Sequence, residues 1–175
     1  MSKVFDIKIE PQIIVDDTFL LDYSMFFGAS LLDYYEATKD EETLRDLSAC
    51  AYRQMEIAKE QFDEKNLLVS GEGFWGFIDW TEGLDKQAAM QGVYIYCAKQ
   101  VQKIAKILGD TKKAEELETE AKEKTEAARA YLLDAETGLF VSGKERQLNY
   151  ASQVWMILSG AVSAEEGGQI LDRVI

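Results

Sequence analysis

The segment Phe62-Asp63-Glu64-Lys65-Asn66-Leu67-Leu68-Val69-Ser70-Gly71 returns as Leu133-Asp134-Ala135-Glu136-Thr137-Gly138-Leu139-Phe140-Val141-Ser142-Gly143, and the two Ser-Gly pairs lie 72 positions apart. A repeat of this period constrains a fold more than any single motif, because each copy must be one supersecondary unit that buries its apolar face against the next. Each copy follows a long apolar helical pattern, a turn bearing an aspartate, and a charged helical pattern. The turns are Ala37-Thr38-Lys39-Asp40 and Leu108-Gly109-Asp110-Thr111. The chain therefore reads as buried helix, tight turn, exposed helix, short extended Leu-x-Val-Ser-Gly segment, loop, next buried helix. Stacked side by side, such hairpins build an open solenoid or a closed helical toroid.

The 3.6-residue period places six helices. The first spans 17–38, with Asp17 as its cap and a stripe through Phe19, Tyr23, Phe26, Phe27, Leu31, Tyr34 and Tyr35. That stripe is broad enough for burial on more than one side, which favours the toroid. The second spans 40–61 with a narrower stripe, and the third spans 85–108 and stops at Gly109. The fourth, 112–133, alternates acidic and basic groups, among them Lys122, Lys124 and Arg129, and reads as a solvated helix. The fifth, 147–159, turns Tyr150 toward a pocket and Trp155 inward. The sixth opens at Ser163 with Glu166 three residues on, the capping-box spacing, and its apolar pattern is still running at Val174 and Ile175. The long aromatic loops all follow an exposed helix, so they gather on one rim, where a pocket is expected.

With 47% apolar residues and a single proline in 175, the chain is expected to form one domain with a sizeable core. A net charge of -13 repels polyanions, so neither nucleic acid nor an anionic membrane is an expected partner. No apolar run is long enough to span a bilayer, and the first residues lack a secretory h-region, so a cytoplasmic protein is expected. Cys50 and Cys97 lie in apolar helical patterns and read as small core residues. Histidine is absent. That removes His-based triads, most zinc sites and imidazole chemistry, leaves Ser70 and Ser142 without a base, and makes carboxylates the proton-transfer groups. No metal and no cofactor is expected.

Between Gly73 and Lys86 the chain crowds Phe74, Trp75, Phe77 and Trp80 with Asp79, Glu82 and Asp85 in a stretch too irregular for a helix. Flat aromatic faces suit the apolar faces of sugar rings, and carboxylates accept hydrogen bonds from hydroxyls or exchange protons with a glycosidic oxygen. Two readings of Trp75, Phe77 and Trp80 stay open: they face a sugar, or they plug the core beneath a loop. Asp79, between Ile78 and Trp80, is the better placed for a raised pKa, as an acid requires; Glu82, before Gly83, is the better placed to be ionised. Asp85 either contacts a ligand or caps the third helix, and Glu82 either meets substrate or pairs with Lys86. Lys144, Glu145 and Arg146 reach the same rim or form a solvated loop.

Taken together, Phe74-Trp75-Gly76-Phe77-Ile78-Asp79-Trp80, Leu84-Asp85-Lys86-Gln87-Ala88-Ala89, Leu139 to Gly143 and Tyr150-Ala151-Ser152-Gln153 resemble the six-hairpin catalytic domain of α-L-rhamnosidases, glycoside hydrolase family 78. The likeness runs from about Asp16 onward, and Trp-x-Phe-Ile-Asp-Trp is its most specific part. It implies an all-α fold of helical hairpins, an (α/α)6 toroid of which residues 1–175 form about half, preceded by an extended segment over 1–15. It also implies inverting hydrolysis of a terminal α-linked rhamnose or similar sugar, in a pocket lined by Trp75, Asp79 and Trp80. The family's general acid lies in an Asp/Glu-Arg-x-x-Trp-x-Gly-Asp-like segment and its general base in a Trp-Glu segment, and neither occurs here. The expected site is therefore Asp79 and Glu82 as the carboxylates this chain supplies, with Trp75, Phe77, Trp80, Asp85, Lys86 and Tyr150 on the sugar. Activity is expected to need the missing hairpins, a second copy or a complementing chain; the alternative is a non-catalytic module that binds a saccharide or a protein.

Overall fold

The computed structural model describes residues 20–69, 75–79 and 81–174. The cap expected at Asp17, the extended segment expected over 1–15, and Phe74 and Trp80 lie outside them. The described elements run in the order α1 (Leu21–Thr38), α2 (Glu41–Lys59), α3 (Gln87–Leu108), α4 (Thr111–Ala127), β1 (Val141–Ser142), β2 (Gln147–Leu148), α5 (Tyr150–Leu158) and α6 (Ala164–Val174). The fold is all-α, with one two-residue antiparallel hairpin pairing Val141 with Leu148 and Ser142 with Gln147.

The two tight turns are built alike. Lys39 (φ 59°) and Gly109 (φ 75°) end α1 and α3 in the left-handed conformation that turns the chain out of a helix. Asp40 and Asp110 then cap α2 and α4 by accepting the N–H groups of Thr43 and Lys113 at 3.0 and 3.1 Å. The repeat persists beyond the helices. Asp63 N–H donates to the Leu67 carbonyl and Asp134 N–H to the Leu139 carbonyl, both at 2.9 Å, and the bridges Phe62–Leu68 and Leu133–Phe140 occupy matching places. The second copy is one residue longer, yet both turn through a left-handed residue just before the leucine, Asn66 at φ 60° and Gly138 at φ 66°.

Helix α3 is the centre of the molecule, packing against α1, α2, α4 and α5. Its first half is buried without interruption from Ala88 to Ile95. The expectation of enclosure on more than one side is met by α3 more fully than by α1, which leaves Tyr23 and Tyr34 exposed. The reason is position: α3 lies between α1 and α5 and has neighbours on both flanks. The approach of α5 is close, because a Cβ at Gly92 would stand 2.7 Å from the backbone carbon of Trp155. Trp155 itself packs inward, its ring 5.3 Å from Phe26 and 6.0 Å from Tyr96.

Helix α4 is not simply a wet helix. Lys124 is 3% exposed, because the 62–68 loop folds over it. Its ammonium donates to Asn66 Oδ1 at 2.6 Å and lies 4.9 Å from the centre of the Phe62 ring. Burial lowers its pKa. Nearby, Glu120 accepts from the Tyr94 hydroxyl and from Lys59, tying α4 to α3 and α2. The helix ends in a π-helical turn, Ala128–Leu132, rather than continuing to 133.

Two further boundaries differ from expectation or meet it. Helix α5 begins at Tyr150, not 147, because Gln147 and Leu148 pair as β2 and Asn149 accepts the Ser152 N–H at 2.8 Å as the cap. The capping box at α6 forms in both directions: Glu166 N–H donates to Ser163 Oγ, and Ser163 N–H to Glu166 Oε2. Cys50 and Cys97 are free thiols, Cys97 fully buried. Among the described residues no helix is long and apolar enough to cross a membrane.

Candidate functional site

The aromatic loop enters the fold through its backbone. Trp75 forms a parallel bridge with Leu20, and its carbonyl accepts the Leu21 N–H at the start of α1. Lys86, just before α3, donates to the carbonyls of Gly76 and Phe77 at 2.8 and 3.0 Å, with its ammonium 5.0 Å from the centre of the Trp75 ring. Its charge therefore serves loop carbonyls and an indole face, and Glu82 forms no ion pair with it. Trp75, Phe77 and Tyr23 make an edge-to-face chain, with centroids 5.8 and 5.7 Å apart in succession. Trp75 is 39% exposed and Phe77 half-buried, so the cluster presents an aromatic surface while resting on α1.

A tight turn follows. Ile78 has φ 39°, a left-handed value costly for a β-branched residue, and the Asp79 N–H turns back to the Phe77 carbonyl. Asp22, on the first turn of α1, holds the turn by accepting the Ile78 N–H through Oδ2 at 3.0 Å. Asp22 is 1% exposed, and its Oδ1 has no hydrogen-bond partner among the described residues. Asp79 emerges exposed, with Oδ1 accepting both the N–H and the hydroxyl of Thr81 at 3.1 Å. The enclosure that its apolar neighbours suggest is absent. Glu82 is exposed and makes no hydrogen bond to a described residue.

Asp85 behaves as a helix-start residue: Oδ1 accepts the Gln87 N–H at 3.0 Å, and Oδ2 lies against the Cα of Gly143. From the second repeat, Gln147 spans the turn, its Oε1 accepting the Asp85 N–H and its Nε2 donating to the Gly83 carbonyl, both at 2.8 Å. Asn149 Nδ2 adds a bond to the Asp85 carbonyl. Between these two walls opens a cleft of about 390 Å³, bounded by Asp79, Thr81 and Glu82 on one side and by Gln147, Asn149 and Tyr150 on the other. Tyr150 is 68% exposed at its edge. The structure thus brings Asp79, Glu82 and Tyr150 to one cleft, while Trp75, Phe77, Asp85 and Lys86 stand outside its lining. Arg146 is tied to Asp134 at 2.8 Å.

Glutamines are what the sequence reading overlooked. Gln91 of α3 and Gln153 of α5 hold the backbone of Leu68 and Phe140, the matching residues of the two extended segments, and Gln87 reaches Leu68 and Gly143. The available signal was a glutamine in the first turns of each helix that follows a Leu-x-Val-Ser-Gly segment. Asp22 had a weaker one, an acid inside a stripe otherwise apolar. No cluster of three or more Cys, Asp or Glu suited to a metal occurs among the described residues.

Among the described residues, helical hairpins thus carry a cleft walled by the loops of two successive units. A rhamnosidase from Klebsiella oxytoca, solved with rhamnose bound, matches 95% of this chain with a TM-score of 0.87 and 35% identity. A family 78 rhamnosidase of Bacillus sp. GL1 matches 89% of it with a TM-score of 0.76 and, at 18% identity, speaks for the fold alone. This chain is rhamnosidase-like, matching a fragment of a glycoside hydrolase family 78 catalytic domain. It spans 32% of the Klebsiella chain and 17% of the Bacillus one. No protein-family model and no curated protein matches the sequence.

Proposed function

We propose that this chain forms part of an α-L-rhamnosidase-type glycosidase, acting in the cytoplasm to remove a terminal α-linked rhamnose or similar neutral sugar with inversion. The observation that carries the reading is the cleft bounded by Asp79 and Glu82, on a fold that matches a rhamnosidase holding rhamnose. Inversion needs one carboxyl group to protonate the glycosidic oxygen and a second to activate water, roughly 6.5–9.5 Å apart. Asp79 and Glu82 are the carboxylates this chain offers, Asp79 toward the glycosidic oxygen or the sugar hydroxyls and Glu82 as the ionised partner. Trp75, Phe77 and Trp80 supply stacking faces, Lys86 fixes the loop that carries them, and Asp85 fixes the turn behind Glu82. The closed (α/α)6 toroid belongs to the same proposal, as does its completion by further hairpins, a second copy or a complementing chain.

A non-catalytic saccharide-binding module is the second reading, favoured by the exposure of both Asp79 and Glu82, neither of which has the desolvated setting that keeps a general acid protonated. The purified protein and its Asp79→Asn variant are assayed for release of an aryl α-L-rhamnoside. The assay is run on the chain alone and on the chain joined to completing hairpins: turnover lost in the variant supports the hydrolase, saturable quenching of tryptophan fluorescence by rhamnose with no turnover in either form supports the module, and neither response in either form refutes both.

A further inference from the structure

The peptide unit joining Phe77 to Ile78 is gripped at both ends by opposite charges. Its carbonyl accepts from the Lys86 ammonium at 3.0 Å, and its N–H donates to Asp22 Oδ2 at 3.0 Å. The two charges come from different parts of the fold, Lys86 from the start of α3 and Asp22 from the first turn of α1. The orientation of this peptide sets the φ of Ile78, and the next residue is Asp79, which lines the cleft.

Without the two charges the peptide would turn over. A β-branched residue avoids the left-handed region, where Cβ crowds the following carbonyl oxygen, and half a turn of the peptide returns Ile78 from φ 39° to an ordinary extended value. In the turned-over form the carbonyl would face the Asp22 carboxylate and the N–H would face the Lys86 ammonium, two repulsive contacts in place of two attractive ones. The Asp79 N–H would also lose its bond to the Phe77 carbonyl. Glycine at 78 would need no clamp, but Ile78 packs its side chain against the main core. The branched side chain stays, and the charges offset its strain.

The same geometry accounts for an acid at position 22. Asp22 is buried with Oδ1 unpartnered among the described residues, an arrangement that calls for a reason. A carboxylate only accepts hydrogen bonds, so it serves the observed orientation and opposes the other. Asparagine has the same shape, yet by rotating its amide it donates to the turned-over carbonyl as readily as it accepts from the N–H.

We infer that Asp22 is a positioning residue for the sugar site: its carboxylate holds the Phe77–Ile78 peptide in the strained orientation that brings Asp79 to the cleft. The inference rests on the glycosidase reading, in which Asp79 meets the sugar. It adds a residue outside the cleft lining that sets the affinity of the cleft.

Asp22→Asn tests it, an isosteric change that spares the packing of α1. Rhamnose affinity is read from quenching of tryptophan fluorescence, on the chain alone and on the chain joined to completing hairpins, and hydrogen exchange is followed at the Ile78 amide. Affinity is expected to fall on the order of tenfold, because the left-handed strain, no longer offset, leaves the competent turn about a tenth populated. The Ile78 amide is expected to exchange faster while amides in the middle of α3 keep their protection. Adding Ile78→Gly to Asp22→Asn is expected to recover affinity to within about threefold of the parent, since glycine accepts the left-handed backbone and Lys86 still orients the carbonyl. A role in stability alone predicts the reverse, because the glycine removes a core contact. Unchanged affinity or unchanged Ile78 exchange in Asp22→Asn, or a double variant that binds no better than the single one, overturns this inference alone. No quenching of the parent by rhamnose in either form overturns it together with the glycosidase reading.

Discussion

Gln153 grips Phe140 on both sides of its Cα: the Phe140 N–H donates to Gln153 Oε1 at 2.8 Å, and Gln153 Nε2 donates to the Phe140 carbonyl at 2.6 Å. Both residues are fully buried. Replacing Gln153 by Leu leaves a buried N–H and a buried C=O without partners, at a cost of roughly 1–3 kcal/mol each. The Gln153→Leu protein is expected to lose about 3 kcal/mol of stability, read from its urea midpoint. A loss under 1 kcal/mol would show that water or another group replaces the amide.

Gly92→Ala tests the contact between α3 and α5. The added methyl meets the backbone of Trp155 as well as its Cβ at 2.9 Å, and backbone cannot swing aside as a side-chain tip does. A loss of about 1–3 kcal/mol is expected, the usual cost of overpacking, and thermal unfolding measures it. A protein as stable as the parent would mean that the two helices do not approach this closely.

Lys86→Met keeps the stem and removes the ammonium that holds the carbonyls of Gly76 and Phe77. Hydrogen exchange is expected to accelerate across residues 75–79, while amides in the middle of α4 keep their protection. Unchanged exchange in the loop would show that Asp22 alone holds it.

Glu166 should titrate far below an ordinary glutamate. The Arg129 guanidinium, first, and the Ser163 N–H hold its carboxyl down at about 2 against a usual 4.5. Because the folded value is the lower one, the stabilisation is fully present above pH 4.5 and disappears as pH falls toward 2. An NMR titration of the Glu166 side-chain carboxyl is expected to give a midpoint near 2, and Arg129→Gln to move it back up. A midpoint close to 4.5 would mean that the pair does not form in solution.

How far the sequence carried the fold can be judged at particular residues. Asp63 and Asp134, or Asp40 and Asp110, were visible as pairs because each does a local job that any copy of the hairpin must repeat. The hairpin of Val141–Ser142 with Gln147–Leu148 was not, since two residues per strand show no period. Lys124 misled for a different reason. Its charge counts toward a wet face, yet the group that covers it, Asn66, stands 58 positions away. At the site, the neighbours of Asp79 suggested enclosure, but the left-handed backbone of Ile78 and the Thr81 bonds are properties of a turn that composition does not encode. The cleft itself joins 79–84 to 147–151, a pairing that needed the stacking of one unit on the next.

The glutamine bonds have a consequence for how this chain can be divided. Leu68 is sealed by Gln87 and Gln91, and Phe140 by Gln153, so each of these two extended segments is closed by the helix that comes after it. The sequence period marks units that begin and end at Ser-Gly, yet the true structural joints are staggered past those glutamines, like roof tiles each pinned by the next. Dissection or grafting of such modules therefore succeeds only with cuts placed beyond the locking amide, and a cut at the visible boundary leaves the last strand open.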